Sequence, residues 1–103
     1  MSIIYLIESN QNGNITYKIG KTSRIIKNRL KELATGNAGD LNIIHEYQTD
    51  IPDKLELAVH SAFSHCRLNG EWFSDELDVS RFMEICELYN KALKIVYKKT
   101  PYV

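Results

Sequence analysis

The sequence predicts an α/β domain of the α+β kind, a small antiparallel or mixed sheet with helices packed on it. Three observations carry that expectation. Ile3 to Ile7 is a short, almost wholly apolar run with a β-branched start, the mark of a strand buried on both faces. Ile15, Tyr17 and Ile19 alternate with polar residues, as on a strand with one buried face. Three later segments carry apolar residues at helical spacing.

Taken in order, the first strand gives way to Asn10-Gln11-Asn12-Gly13-Asn14, a dense cluster of turn formers. This predicts a hairpin whose loop exceeds the two-residue minimum. Gly20-Lys21-Thr22-Ser23 breaks the second strand, and Thr22 or Ser23 can cap a helix running to about Ala34. Ile26, Leu30 and Leu33 are its stripe. Leu41 to Tyr47 reads as a third strand. A second helix starts at Asp50-Ile51-Pro52-Asp53, with Asp53 as N-cap and Leu55, Val59, Ala62 and Phe63 inward. Asn69-Gly70 marks a turn, followed by a short extended Glu71-Trp72-Phe73. A third helix runs from Ser80 to about Lys98, burying Phe82, Cys86, Tyr89, Leu93 and Val96. The predicted order is β-β-α-β-α-(short β)-α.

At 103 residues the chain is expected to form one domain over 1–103. Its composition, 44% hydrophobic and 25% charged, excludes a disordered or collagen-like chain. No apolar run is long enough to span a membrane. The start lacks a basic segment and meets Glu8 early, so it reads as a strand rather than a signal peptide. A cytoplasmic or nuclear protein is expected, with Cys66 and Cys86 reduced. Net charge is zero but polarised. Lys18, Lys21, Arg24, Lys27, Arg29 and Lys31 lie in an acid-free stretch, whereas Glu71 to Glu87 is mostly acidic. Such a domain can turn a basic side toward a polyanion, or simply carry two solvated faces of opposite sign.

Two charges sit at the edges of apolar stripes. Arg29 falls beside the stripe of the first helix and needs an anion there, either a structural partner or a phosphate. Glu56 flanks the stripe of the second helix, with His60 one turn further on. That pair can share a metal or remain a solvated couple. Tyr5 and Tyr17 are sheet aromatics, and a base role for either needs a nearby cation. His60, His65, Cys66 and Cys86 follow no zinc-finger spacing, and core cysteine accounts for the thiols.

Ile3-Ile4-Tyr5, Tyr17-Lys18-Ile19-Gly20-Lys21-Thr22, Arg29, Leu33-Ala34-Thr35-Gly36-Asn37, Glu56 to His60 and Gly70-Glu71-Trp72-Phe73 form an ordered set. The set resembles the GIY-YIG nuclease superfamily, and within it the small phage and viral branch described as a phage open-reading-frame-type DNA-binding domain. The resemblance spans roughly residues 3–75. It implies a three-stranded antiparallel sheet flanked by three helices. It implies hydrolysis of DNA or RNA phosphodiesters with one divalent ion, Mg²⁺ or Mn²⁺, held by Glu56. Tyr5 matches the first motif's tyrosine, Gly20 the second motif's glycine and Arg29 the catalytic arginine. Lys18 stands where the second motif has its tyrosine, Ile3 where the first has its glycine, and Asn69 is the nearest counterpart of the late asparagine. Tyr17, shifted by one, is expected on the opposite sheet face. His60 belongs to the branch pattern, and Trp72 is expected to close the core beneath the site.

The expected function is therefore a metal-dependent endonuclease acting on DNA. Its candidate catalytic residues are Tyr5, Tyr17, Lys18, Arg29, Glu56 and His60, and Lys18, Lys21, Arg24, Lys27 and Lys31 would face nucleic acid. The alternative is a DNA-binding module of the same fold that does not cut. A nuclease this small is expected to dimerise or join a targeting partner if it selects specific sites.

Overall fold

The computed structural model describes residues 1–35 and 39–97. Gly36 and Asn37 of the quoted motif, and Lys98 at the expected end of the last helix, lie outside them. The chain forms β1 (Ser2–Gln11), β2 (Asn14–Thr22), α1 (Ile26–Thr35), β3 (Asp40–Thr49), α2 (Pro52–Ala62), β4 (Arg67–Asn69), β5 (Trp72–Ser74) and α3 (Phe82–Val96). Short 3₁₀ turns at Ser64–Cys66 and Val79–Arg81 join the later elements.

The α+β class stands, but the sheet has five antiparallel strands in the order β3-β1-β2-β5-β4, not three. The two extra strands come from the Asn69-Gly70 turn. Gly70 adopts φ +51°, a conformation that favours glycine, and turns β4 back onto β5. β5 in turn pairs with β2 through Thr16, Tyr17 and Lys18. Each added strand has only three residues, too few for an alternating pattern to show.

The first hairpin is also tighter than expected. Gln11 pairs with Asn14, leaving the two-residue turn Asn12-Gly13. Both residues have positive φ, 54° and 88°, as a type I′ turn requires, and the Gly13 amide donates to Asn10 Oδ1 at 2.8 Å. Neither candidate cap holds α1: the helix starts at Ile26, its first amides donate to the Ile25 carbonyl, and Thr22 instead accepts from the Arg24 amide at 3.0 Å in the turn before it. Asp53 does not cap α2. Ile51 holds that position, with Pro52 beginning the helix and Asp53 in its first turn.

β1 lies at the centre of the sheet's longest pairings, and Ile4 to Ile7 are completely buried, as the apolar run predicts. On one face Ile4, Leu6, Tyr17 and Ile19 pack with Leu55 and Val59 of α2 and Phe82 and Cys86 of α3. On the other, Tyr5 and Ile7 pack with Ile26, Leu30 and Leu33 of α1. Cys66 and Cys86 are buried free thiols, and burial pushes the Cys86 thiol up to about 12. Phe73 is fully buried, whereas Trp72 is only partly so and joins neither core cluster. Closing the core thus falls to Phe73, because alternation along β5 turns its neighbour Trp72 to the other face. No helix among the described residues is long and apolar enough to cross a membrane.

Candidate active site

Tyr5 on β1 and Gly20 on β2 are cross-strand partners, and Ile7 and Lys18 form the next pair on the same face. Gly20 leaves room for the tyrosine. A Cβ there would overlap the Tyr5 hydroxyl and lie 2.8 Å from Glu71 Oε1. A phenol and a carboxylate thus crowd over one bare α-carbon. Gly20→Ala is expected to cost about 1–3 kcal/mol by overpacking. A thermal melt checks this, and an unchanged midpoint would show that the crowding is absent.

Arg29 reaches the same point from α1. Its Nε donates to Tyr5 Oη at 3.3 Å, and Nη1 lies 3.7 Å from Glu32 Oε1. The stripe-edge guanidinium therefore has a phenol and an acid as partners. Burial raises the Tyr5 pKa above its usual 10, Arg29 opposes the rise, and Glu71 and Glu56 add to it. Tyr5 stays protonated at neutral pH and acts as a fixed hydroxyl rather than a phenolate base.

Glu56 arrives from α2, its side chain only 13% exposed and 3.9 Å from Lys21 Nζ. Burial and then Glu71 raise its carboxyl pKa, against the pull of His60, Lys21 and Lys18. The Glu56 carboxylate is thus less easily charged than a free one, because it is poorly hydrated and stands near the charge of Glu71. Among the described residues no group of three or more His, Cys, Asp or Glu forms a metal cage. A donor set of one or two carboxylates suits Mg²⁺ or Mn²⁺, which keep much of their water and take ligands from a phosphate substrate. It does not suit zinc, which wants four firm nitrogen or sulfur ligands.

Glu71 is the residue that spacing and periodicity did not single out. It pairs with Lys18 Nζ at 3.4 Å, its carbonyl accepts from the Ile19 amide at 3.0 Å, and its charge acts on Tyr5, Lys21, Arg29 and Glu56. Glu71 sits in the β4–β5 turn, where periodicity carries no information. The Gly70–Phe73 motif is its only sequence signal.

The remaining candidates divide. Lys18 is buried within the cluster, between Glu71 and the Trp72 ring, 5.3 Å from the indole centroid. His60 is buried on α2, where its Nε2 donates to the Ile19 carbonyl at 2.8 Å and its ring meets the Phe73 edge. It steadies β2 just before Gly20. Tyr17 lies on the opposite face among the α2–α3 core residues and is not brought to the cluster. Lys21 pairs with Asp53 at 2.5 Å and Arg24 pairs with Glu32, while Lys27 and Lys31 are exposed on α1. A cleft of about 350 Å³ opens beside the cluster, lined by Lys21, Thr22, Ser23, Arg24, Arg29 and Asp53 among others. Its lining carries three cations, three hydroxyls and one acid, with Lys21 and Arg24 each held by a carboxylate.

No curated protein and no solved structure matches the chain significantly. A family model does: the T5orf172 domain matches residues 2–95, a span that runs from the start of β1 to the last residue but one of α3 and holds every residue of the Tyr5, Gly20, Arg29, Glu56 and Glu71 cluster. The chain belongs to the T5orf172 domain family.

Proposed function

We propose that the protein is a divalent-metal-dependent endonuclease that hydrolyses DNA phosphodiesters at the Tyr5–Arg29–Glu56 cluster. One observation carries the reading: Arg29 from α1 donates to the hydroxyl of Tyr5, and the charge of the largely buried Glu56 on α2 acts on the same phenol. The family is phage-derived and related to GIY-YIG-like and HNH-type nuclease folds, which supports a nuclease or DNA-binding role.

Glu56 would hold the ion, with the charge of Glu71 adding to the negative field at that carboxyl. When bound, Mg²⁺ or Mn²⁺ supplies Lewis acidity to a phosphoryl oxygen. Arg29, with Nε on Tyr5 and Nη1 3.7 Å from Glu32, would offer its remaining terminal N–H groups to the charge that builds on the phosphoryl oxygens. Tyr5 accepts from Arg29 and retains its own O–H, so it can orient an attacking water or a phosphate oxygen. Lys18 balances Glu71 where the resembled nucleases have a tyrosine, and keeps a positive charge beside the phosphate.

That same lysine favours the second reading, a DNA-binding module that does not cut. One experiment separates the two. Supercoiled plasmid is incubated with the protein and Mg²⁺ or Mn²⁺, in parallel with excess EDTA. Nicked circles with metal and none with EDTA are the expected result. Retarded but intact plasmid under both conditions would support the binding module and end the nuclease reading.

A further inference from the structure

The sheet face that carries the cluster continues into a second groove. Gly20, Lys18, Thr16 and Asn14 alternate along one face of β2, opposite Tyr5, Ile7, Ser9 and Gln11 of β1. Beyond Lys18, a groove of about 310 Å³ is lined by Asn14, Thr16, Leu68, Asn69 and Trp72 together with Ser9 and Gln11. Trp72 joins the two regions. It pairs with Lys18 in the β2–β5 register, carries the lysine ammonium over its ring, and lines the groove while belonging to neither core cluster.

The two cavities flanking the cluster differ in kind. The cleft on the Arg29 side carries Lys21, Arg24 and Arg29. The groove on the Trp72 side has no charged residue in its lining, only amides, hydroxyls, an indole and the exposed Leu68. Cations recognise phosphates, whereas uncharged amides and hydroxyls beside an aromatic plane recognise a base. A base within a duplex has both its faces covered by its neighbours and offers no plane to an indole. We infer that this groove binds an unpaired base of the DNA strand whose phosphate lies at the cluster, with Trp72 as its stacking platform. Asn14, Thr16 and Asn69 meet the edge of that base. The inference rests on the cluster holding a phosphate and assigns a single-stranded or locally opened substrate to it.

Trp72 is the chain's only tryptophan, so its fluorescence reports on this groove alone. The experiment uses the whole chain in EDTA with three probes: a single strand of about ten nucleotides, a fully abasic strand of equal length, and the matching duplex. The base-bearing strand is expected to quench the emission and to bind about tenfold more tightly than the abasic strand. The duplex is expected to leave the emission unchanged. Trp72→Phe keeps the preference, because a smaller ring still stacks, and Trp72→Leu loses it. Equal affinity of the wild-type chain for base-bearing and abasic strands overturns the inference. So does unchanged emission on binding the single strand, or a preference that survives in Trp72→Leu. A plasmid left intact with Mn²⁺, alongside a preserved preference for bases, would remove the nuclease reading and leave the base site standing.

Discussion

Glu56→Gln is expected to lower plasmid nicking by about a thousandfold or more while raising the melting midpoint by a few degrees. The two effects share one cause. Glu56 is held in a poorly hydrated place beside a second acid, and its pKa is raised by burial and by Glu71. A carboxyl whose folded pKa exceeds its unfolded value destabilises the fold when ionised, and that cost appears as pH rises through the folded pKa. Below the unfolded pKa the acid is protonated in both states and the cost vanishes. Glutamine keeps the shape and removes the charge, so the variant should melt higher at pH 7.5 and converge with the wild type near pH 4. Lys21 is not stranded by the change, because Asp53 holds it at 2.5 Å. Melts in EDTA at the two pH values and nicking with Mn²⁺ are the measurements. Wild-type nicking by the variant would remove Glu56 from the chemistry. A lower melting midpoint at neutral pH would show that the carboxylate is well paired. A residue that costs stability and supplies activity is what a site tuned for function should contain.

Arg29→Lys is expected to slow single-turnover nicking by about a hundredfold or more. Charge is preserved, so affinity for DNA in EDTA should change only a few-fold. Lysine cannot hold the Tyr5 hydroxyl with one nitrogen and present two more donors in the same plane, as arginine does. The hydroxyl also loses the partner that restrains its pKa, so Tyr5 should titrate higher still than in the wild type. NMR of ring-labelled tyrosine reads that shift independently of activity. Equal single-turnover rates would place the guanidinium off the path of the phosphate, whatever its bond to Tyr5.

Much of the site was legible because helical periodicity makes misplaced charges conspicuous. Arg29 and Glu56 each interrupt the edge of an apolar stripe; Arg29 donates to the Tyr5 hydroxyl, and the charge of Glu56 acts on that phenol. Alternation along β2 likewise separates Lys18 from Tyr17 and sends them to opposite faces. Glu71 and Trp72 were not legible in this way. Trp72 lies on a strand of three residues and Glu71 in the turn before it, and the position of both follows from that strand's pairing with Thr16 to Lys18, more than fifty residues earlier. The basic stretch from Lys18 to Lys31 misled in part. Four of its six members, Lys18, Lys21, Arg24 and Arg29, find acids in Glu71, Asp53 and Glu32, and Lys27 and Lys31 remain as exposed cations on α1.

By itself, the order of residues determined the α+β class, the doubly buried first strand, the three helices and which charges stand out from them. These are local matters, set by side-chain periodicity and turn chemistry within about ten residues. Only the tertiary structure decided that the sheet has five strands, that Glu71 joins the cluster and that Trp72 faces a groove instead of the core. Strand pairing is a contact between distant segments, and its hydrogen bonds run through the backbone, which is the same for nearly every residue type.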